Sequence, residues 1–260
     1  MNTRTETDCI GPMEIPMDCP WGIHTERALQ NFPLPGGAVN PRLLSAYFQV
    51  KKACALANKE LGYLTPEKAD AIIGSCSMPS APCSLPSLQG GAGTSTNMLV
   101  NELIGRRASV HPIEEVNLHQ STNDTYPTAL KVAAILGVRE LSEAFAALQG
   151  VFQTLEKKHA NVPILGKTEL VDAVPLTMGA QFASFAEAFA RDRWRTFKCE
   201  ERLRTVNLGG TAIGTGLTAP RSYIFLVIEK LREVTGLGLS RAENMVEATA
   251  NADCFVEVSG

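Results

Sequence analysis

Apolar residues recur along this chain at helical spacing, and polar tracts between them mark where each helix starts and stops. Residues 1 to 39 carry few periodic segments and many breakers (Gly11, Pro12, Pro16, Pro20, Gly22, Pro33, Pro35, Gly36, Gly37), which predicts an irregular or short-stranded arm. Asn40-Pro41 supplies an N-cap and a favourable first helical residue. Leu44, Tyr47, Phe48, Val50, Ala53, Leu56 and Ala57 then continue one apolar face until Gly62 stops it. Thr65-Pro66 repeats the start signal for a shorter helix through Ala69, Ile72 and Ile73. Ser75 to Ser87, rich in Ser, Pro and Cys, reads as a loop. Gly90 to Asn97 is a polar tract before a helical pattern from Met98 to Arg107, and the run from Ala108 to Leu118 is too short to assign.

Gln120-Ser121-Thr122-Asn123-Asp124 opens the longest periodic run, through Leu130, Val132, Ala133, Leu136 and Leu141. The pattern predicts a helix of about thirty residues ending near Lys158, with Asn123 or Asp124 as N-cap and Pro127 in its first turn. Asn161 to Pro175 reads as a polar loop containing Gly166-Lys167-Thr168-Glu169 and Asp172. From Thr177 to Thr205, Phe182, Phe185 and Phe189 stand at helical spacing and predict a core stripe. Arg191, Arg193, Arg195 and Lys198 oppose Glu187, Glu200 and Glu201 on a solvated or interhelical face. Asn207 to Gly216 is another glycine-rich polar stretch. Pro220 to Val234 is a helix stopped by Gly236, and Ser240 to the end reads as one more helix. Long helices with little alternating pattern imply a mainly α protein.

At 260 residues, 45% hydrophobic and with a formal net charge of -3, the chain can bury a sizeable core in one large or two modest domains. Its near-neutral balance gives no electrostatic footprint for nucleic acid or an anionic membrane. No apolar run reaches the length of a membrane span, and Met1 to Cys9 is too polar for a signal sequence. The expectation is a soluble, cytoplasmic protein with no nucleic-acid or membrane partner. Seven cysteines without a C-x-x-C pair read as reduced packing residues. His24, His111, His119 and His159 have no ligand spacing, so no metal is expected. Gly166-Lys167-Thr168 ends like a Walker A loop, but Asn161 stands where that loop needs glycine, and Gly91-Ala92-Gly93 lacks the third glycine of a dinucleotide fingerprint.

Four tracts instead share one character: glycine for close backbone approach, with Ser, Thr and Asn as neutral donors. For Ser121 to Asp124 alone, simple capping, a contribution of about 1 kcal/mol, is the simpler reading. Together the tracts suit a substrate bearing carboxylates, since helix N-termini carry unpaired N–H groups and partial positive charge. They also suit proton abstraction beside a carboxylate, where preorganised donors stabilise the doubly charged aci-carboxylate more than the ground state.

These residues resemble the aspartase and fumarase superfamily, on its aspartase side. Gly90-Gly91-Ala92-Gly93-Thr94-Ser95 with Asn97-Met98 is similar to the family's first substrate segment, Gln120 to Asp124 to the second, and Gly166-Lys167-Thr168 through Asp172-Ala173-Val174-Pro175 to the third. Thr122, Gly22-Ile23-His24-Thr25, Asn207 to Leu217 and Glu243 to Thr249 favour aspartase over fumarase. The resemblance implies a mainly α fold with an N-terminal helical domain (1–120) and part of a long central helical bundle (121–260). It implies reversible elimination of ammonia from L-aspartate to give fumarate, without an organic cofactor, in a homotetramer whose sites draw segments from three chains.

By the same resemblance Thr94, Ser121, Thr122, Asn123 and Thr168 hold the substrate carboxylates, and His111 is a candidate secondary anion site. The family's serine-base loop has no counterpart in this sequence, so no catalytic base is assigned and little activity is expected of the chain alone. Glu169 stands where relatives have His or Gln, and His111 to Glu115 matches its segment only in part. A fumarase-like hydro-lyase acting on malate and a non-catalytic assembly or regulatory remnant are the alternatives.

Overall fold

The structure is a computed structural model that describes residues 2–77 and 85–260; most of the loop expected between Ser75 and Ser87 lies outside them. The chain divides into two compact units, Met1–Ala133 with Arg204–Asp253, and Ala134–Leu203 with Cys254–Gly260.

The first unit opens with an antiparallel hairpin of β1 (Thr3–Asp8) and β2 (Gly11–Pro16), as the short-stranded arm predicts. It continues, against that expectation, into a helix, α1 (Ile23–Asn31). The breakers hide this helix because its cap comes from far along the chain. The Glu102 carboxylate accepts from Gly22 N, His24 N, Thr25 N and Thr25 Oγ1, and Glu6 accepts from Ile23 N. Four orphan donors of a helix N-terminus are thereby satisfied without a local Ser or Asp.

α2 (Pro41–Glu60) starts where Asn40 accepts from Arg42 N at 2.8 Å, and α3 (Pro66–Cys76) starts at Thr65. Ser75 and Cys76 therefore belong to a helix, not to the loop. α4 (Thr94–Ala108) begins four residues earlier than its apolar pattern, so the end of the first donor tract is its opening turn. A π-type turn, Pro112–Val116, fills the unassigned stretch. α7 (Arg221–Thr235) ends at Gly236, whose φ of 67° is the left-handed stop expected of glycine. Tyr47, Val50, Ala53, Leu99, Val100, Leu103, Val227 and Leu231 form the buried centre. The parallel pair β5 (Thr205–Val206) and β6 (Ser240–Arg241) closes the unit. The single helix expected after Ser240 is two short ones, α8 (Met245–Ala250), capped by Asn244, and α9 (Asp253–Ser259).

α5 (Thr122–Lys158) runs for 37 residues and enters the second unit after Ala133. There it is joined by α6 (Met178–Leu203). Phe152 stacks on Phe189 at 5.6 Å and lies 5.5 Å and 6.1 Å from Phe185 and Phe182. The stripe is only partly core, since Phe185 remains 41% exposed: among the described residues its ring contacts are with α5 and within α6. Glu200, expected on a solvated or interhelical face, is 5% exposed and paired with Arg139 at 2.8 Å.

The stretch from Asn161 to Pro175 is not a loop but a hairpin of β3 (Pro163–Thr168) and β4 (Val171–Thr177). Its turn residues, Glu169 (φ 48°) and Leu170 (φ 67°), occupy left-handed positions that Asn and Gly normally fill. The usual hairpin signal was therefore missing.

Candidate functional site

The N-terminus of α5 is the centre of the site. Its N-cap is Ser121 rather than Asn123 or Asp124. Ser121 Oγ accepts from Asn123 N at 3.3 Å while Asp124 Oδ1 accepts from Ser121 N at 2.9 Å, a reciprocal arrangement akin to a capping box. Pro127 consequently lies beyond the first turn, and its missing N–H leaves the Asn123 carbonyl without its helical donor. Asn207 Nδ2 takes that place at 3.0 Å.

The first donor tract is brought against the second. Thr122 Oγ1 accepts from Asn97 Nδ2 at 3.1 Å. Gly93 sits so close to the Tyr126 ring that a Cβ there would lie 2.3 Å from it, and its φ is 97°. Only glycine allows that approach, which seats Thr94, the first residue of α4, beside α5. Thr94 is exposed, and its hydroxyl turns back to donate to Gly91 O at 2.6 Å. Among the described residues neither Ser121 nor Thr122 has an acceptor for its own hydroxyl proton. Two half-buried hydroxyl donors are thus set at the positive end of a 37-residue helix.

The Asn207–Gly216 stretch joins them. Asn123 Nδ2 donates to Ala212 O at 2.7 Å, and Asp124 Oδ2 accepts from Gly209 N (3.1 Å) and Thr211 N (3.0 Å). Asp124 is fully buried, and burial pushes its carboxyl up to about 7 against the pull of these donors and of Lys51.

Beneath the hydroxyls lies a polar layer that reading the sequence missed. Asn117 Oδ1 accepts from Lys51 Nζ (2.9 Å), Asn101 Nδ2 (3.2 Å) and Asn97 Nδ2 (3.3 Å). Lys51 also donates to Gln120 Oε1 at 2.8 Å, and Tyr47 OH bridges Asn97 Oδ1 and Thr125 Oγ1. Burial pulls the Lys51 ammonium down to about 8. One signal was available: Lys51 falls four residues after Tyr47 on the apolar face of α2, where a solvated lysine does not belong. Nothing in the pattern marked Asn117.

Thr168 lies in the second unit, exposed at the end of β3. His111 Nδ1 accepts from Ile113 N and Glu114 N, and so caps the π-type turn; the backbone N–H of His111 donates to Glu115 Oε2 at 2.7 Å. It lines a cavity of about 810 Å³ with Glu6, Asp8, His24, Lys68 and Glu102. Among the described residues no group of His, Cys, Asp and Glu could hold a metal ion, and no helix is long and apolar enough to cross a membrane.

Comparison with known proteins agrees with this architecture. A family described as lyase matches residues 11–260. Aspartate ammonia-lyases of a Bacillus species and of Pseudomonas aeruginosa are 38% and 39% identical to the chain over its full length. A fumarate lyase:delta crystallin from Brucella melitensis superposes over the whole chain with a TM-score of 0.95 at 39% identity, covering 60% of that structure. A class II fumarase from Schistosoma mansoni superposes with a TM-score of 0.94 at 26% identity, covering 61% of it. The chain spans 59% of the length of each of those two aspartate ammonia-lyases. With its helical fold, its converging donor tracts and a match over nearly its whole length, the chain belongs to the lyase family.

Proposed function

We propose that this chain is part of an aspartate ammonia-lyase-type enzyme, in which Thr94, Ser121, Thr122 and Asn123 hold the carboxylates of L-aspartate or fumarate. The observation that carries the reading is the pair of hydroxyls, Ser121 and Thr122, whose oxygens are fixed by Asn123 N and Asn97 Nδ2 while their protons remain available. As ammonia is eliminated, negative charge grows on the carboxylate beside the abstracted proton. Donors already in place stabilise that charge without reorganising, and each is worth about 2.7–4 kcal/mol of barrier in comparable sites. The named activity of the Bacillus and Pseudomonas relatives supports this choice of substrate.

Thr168, at the tip of the β3–β4 hairpin, would complete the donor set from another copy, and His111 would offer a secondary anion contact through Nε2. The half-exposed aromatic face of α6 supports assembly into a homotetramer, with 1–120 as the N-terminal domain and 121–260 as part of a shared bundle. A fumarase-like hydration of fumarate is the second reading, favoured by the likeness to the Schistosoma mansoni fumarase.

The test is an NMR titration of the chain with fumarate, L-aspartate and L-malate at millimolar concentrations. Shifts at the amides of Ser121 to Asn123 and at the Asn97 side chain, larger with aspartate than with malate and reduced in Thr122→Val, are expected. Preference for malate would transfer the site to a hydro-lyase, and no shift there with any of the three would sink the dicarboxylate reading.

A further inference from the structure

Asp124 shares its carboxylate between its own helix and a loop 85 residues downstream. Oδ1 accepts from Ser121 N, on the cap of α5; Oδ2 accepts from Gly209 N and Thr211 N. Those two N–H groups point at one oxygen because Gly209 (φ 89°) and Thr211 (φ 57°) are both left-handed, which curls the backbone into a small anion-binding concavity. Gly209 is also pressed against α7, where an added Cβ would lie 3.1 Å from Ile224 Cα. The loop is therefore held on one side by packing and on the other by a buried carboxyl group. Its remaining ties to α5 run through the neighbouring residue: Asn207 Nδ2 to Asn123 O, and Asn123 Nδ2 to Ala212 O. The second of these fixes which way the Asn123 amide faces, since only its NH2 can meet a carbonyl.

We propose that Asp124 is the positioning residue of the donor cluster: by accepting from Ser121, Gly209 and Thr211 together, it latches the Asn207–Ala212 loop onto the start of α5 and fixes the directions of Ser121 and Asn123. The inference rests on the reading of that cluster as a dicarboxylate site, but the latch itself can be observed without any ligand. The charged and titratable groups around Asp124 are Tyr47, Lys51 and Cys54 on α2 and Tyr223 on α7. None of them supplies a hydrogen bond to its carboxylate among the described residues, so the three backbone donors alone define its contacts.

Asp124→Asn is nearly isosteric but offers one acceptor oxygen in place of two, so it must turn its NH2 toward either the cap or the loop. Asp124→Ser, a second variant in case the first fails to fold, removes the reach to the loop while leaving a small polar side chain at the cap. Hydrogen exchange of the whole 260-residue chain is read at individual amides, together with fumarate affinity by titration. The expected result is at least tenfold faster exchange at Gly209 and Thr211, with Leu103 and Val132 unchanged, and at least tenfold weaker fumarate binding. Unchanged exchange at Gly209 and Thr211 would overturn the latch, and faster exchange with unaltered fumarate affinity would overturn its positioning role. A wild-type chain that binds no fumarate would count against the dicarboxylate reading and against positioning for it, while the exchange rates would still decide whether the latch exists.

Discussion

The side-chain amide of Asn207 donates at 3.0 Å to the carbonyl of Asn123, the helical acceptor that Pro127 leaves without a partner. A proline one turn into α5 is thereby tolerated because a distant residue makes the bond that the proline cannot. The missing rung also frees the first turn of the helix from a purely local ladder and couples it to the Asn207–Gly216 loop.

That coupling is measurable. Asn207→Ala should cost about 0.5–1.5 kcal/mol in urea unfolding, the usual net worth of a hydrogen bond whose acceptor residue can reach water. In a Pro127→Ala background the restored N–H competes for the same carbonyl, so the cost should shrink by about 1 kcal/mol. Additive losses would mean that the two residues act independently.

Asn117 and Gln120 are the two acceptors that make a buried ammonium tolerable at Lys51. Asn117→Ala should destabilise the fold by about 1.5–3 kcal/mol, because the buried ammonium then keeps only Gln120 as an acceptor. Asn117→Ala combined with Lys51→Met should recover part of that loss. Failure of the double variant to exceed the single one in stability would assign the loss to packing.

The two buried charges give opposite pH dependences. The folded-state carboxyl of Asp124, raised to about 7 from 3.8, binds a proton more tightly than in the unfolded chain. Its contribution is fully present below pH 4 and is lost as the pH climbs through 7, on the order of 4 kcal/mol. Lys51, lowered from 10.5 to about 8, binds its proton less tightly when folded, so its penalty is relieved between pH 8 and 10.5 by about 3 kcal/mol. Asp124→Asn should flatten the fall between pH 4 and 7, and Lys51→Met the rise above pH 8, when stability is measured by denaturant unfolding across that range.

Glu169 and Leu170 hold left-handed turn positions with side chains that disfavour them, and Leu170 is 94% exposed. Leu170→Gly should stabilise the hairpin by about 1 kcal/mol, read as slower amide exchange at Val174 and Leu165. No gain would show that the turn conformation is dictated from outside the hairpin.

The second unit leaves Phe185 41%, Phe197 51% and Trp194 62% exposed, large apolar side chains on more than one side of α6, an exposure of a kind that marks association. Sedimentation at micromolar concentration should show a multimer, and Phe185→Asp with Trp194→Glu should shift it toward monomer without loss of helical circular dichroism. A wild-type monomer would remove the argument for a bundle shared between copies.

Much of the helical fold could be read in advance: α2 announces itself through a local cap, a stop at Gly62 and a single apolar face, α3 through its Thr65 cap, and α7 through its stop at Gly236. The elements that could not be read borrow something from elsewhere. α1 takes its cap from Glu102, and the β3–β4 hairpin turns on residues that carry no turn signal. Likewise the donor tracts were visible as composition, and Asn97 and Asn207 both lay within them. Their pairing was not visible, since a hydrogen bond between residues 25 or 84 positions apart leaves no periodicity.

By itself the sequence determined the position of the longer helices and of the donor tracts, since helix periodicity and N-terminal polarity are properties of neighbouring residues, and its motifs carried the resemblance to a family. Tertiary structure alone decided that three donor tracts meet at α5, that Ser121 rather than Asn123 or Asp124 is its cap, and that Asp124 and Lys51 are buried. Those outcomes depend on which distant groups arrive to satisfy each backbone donor and each charge, and burial makes leaving any of them unsatisfied too costly.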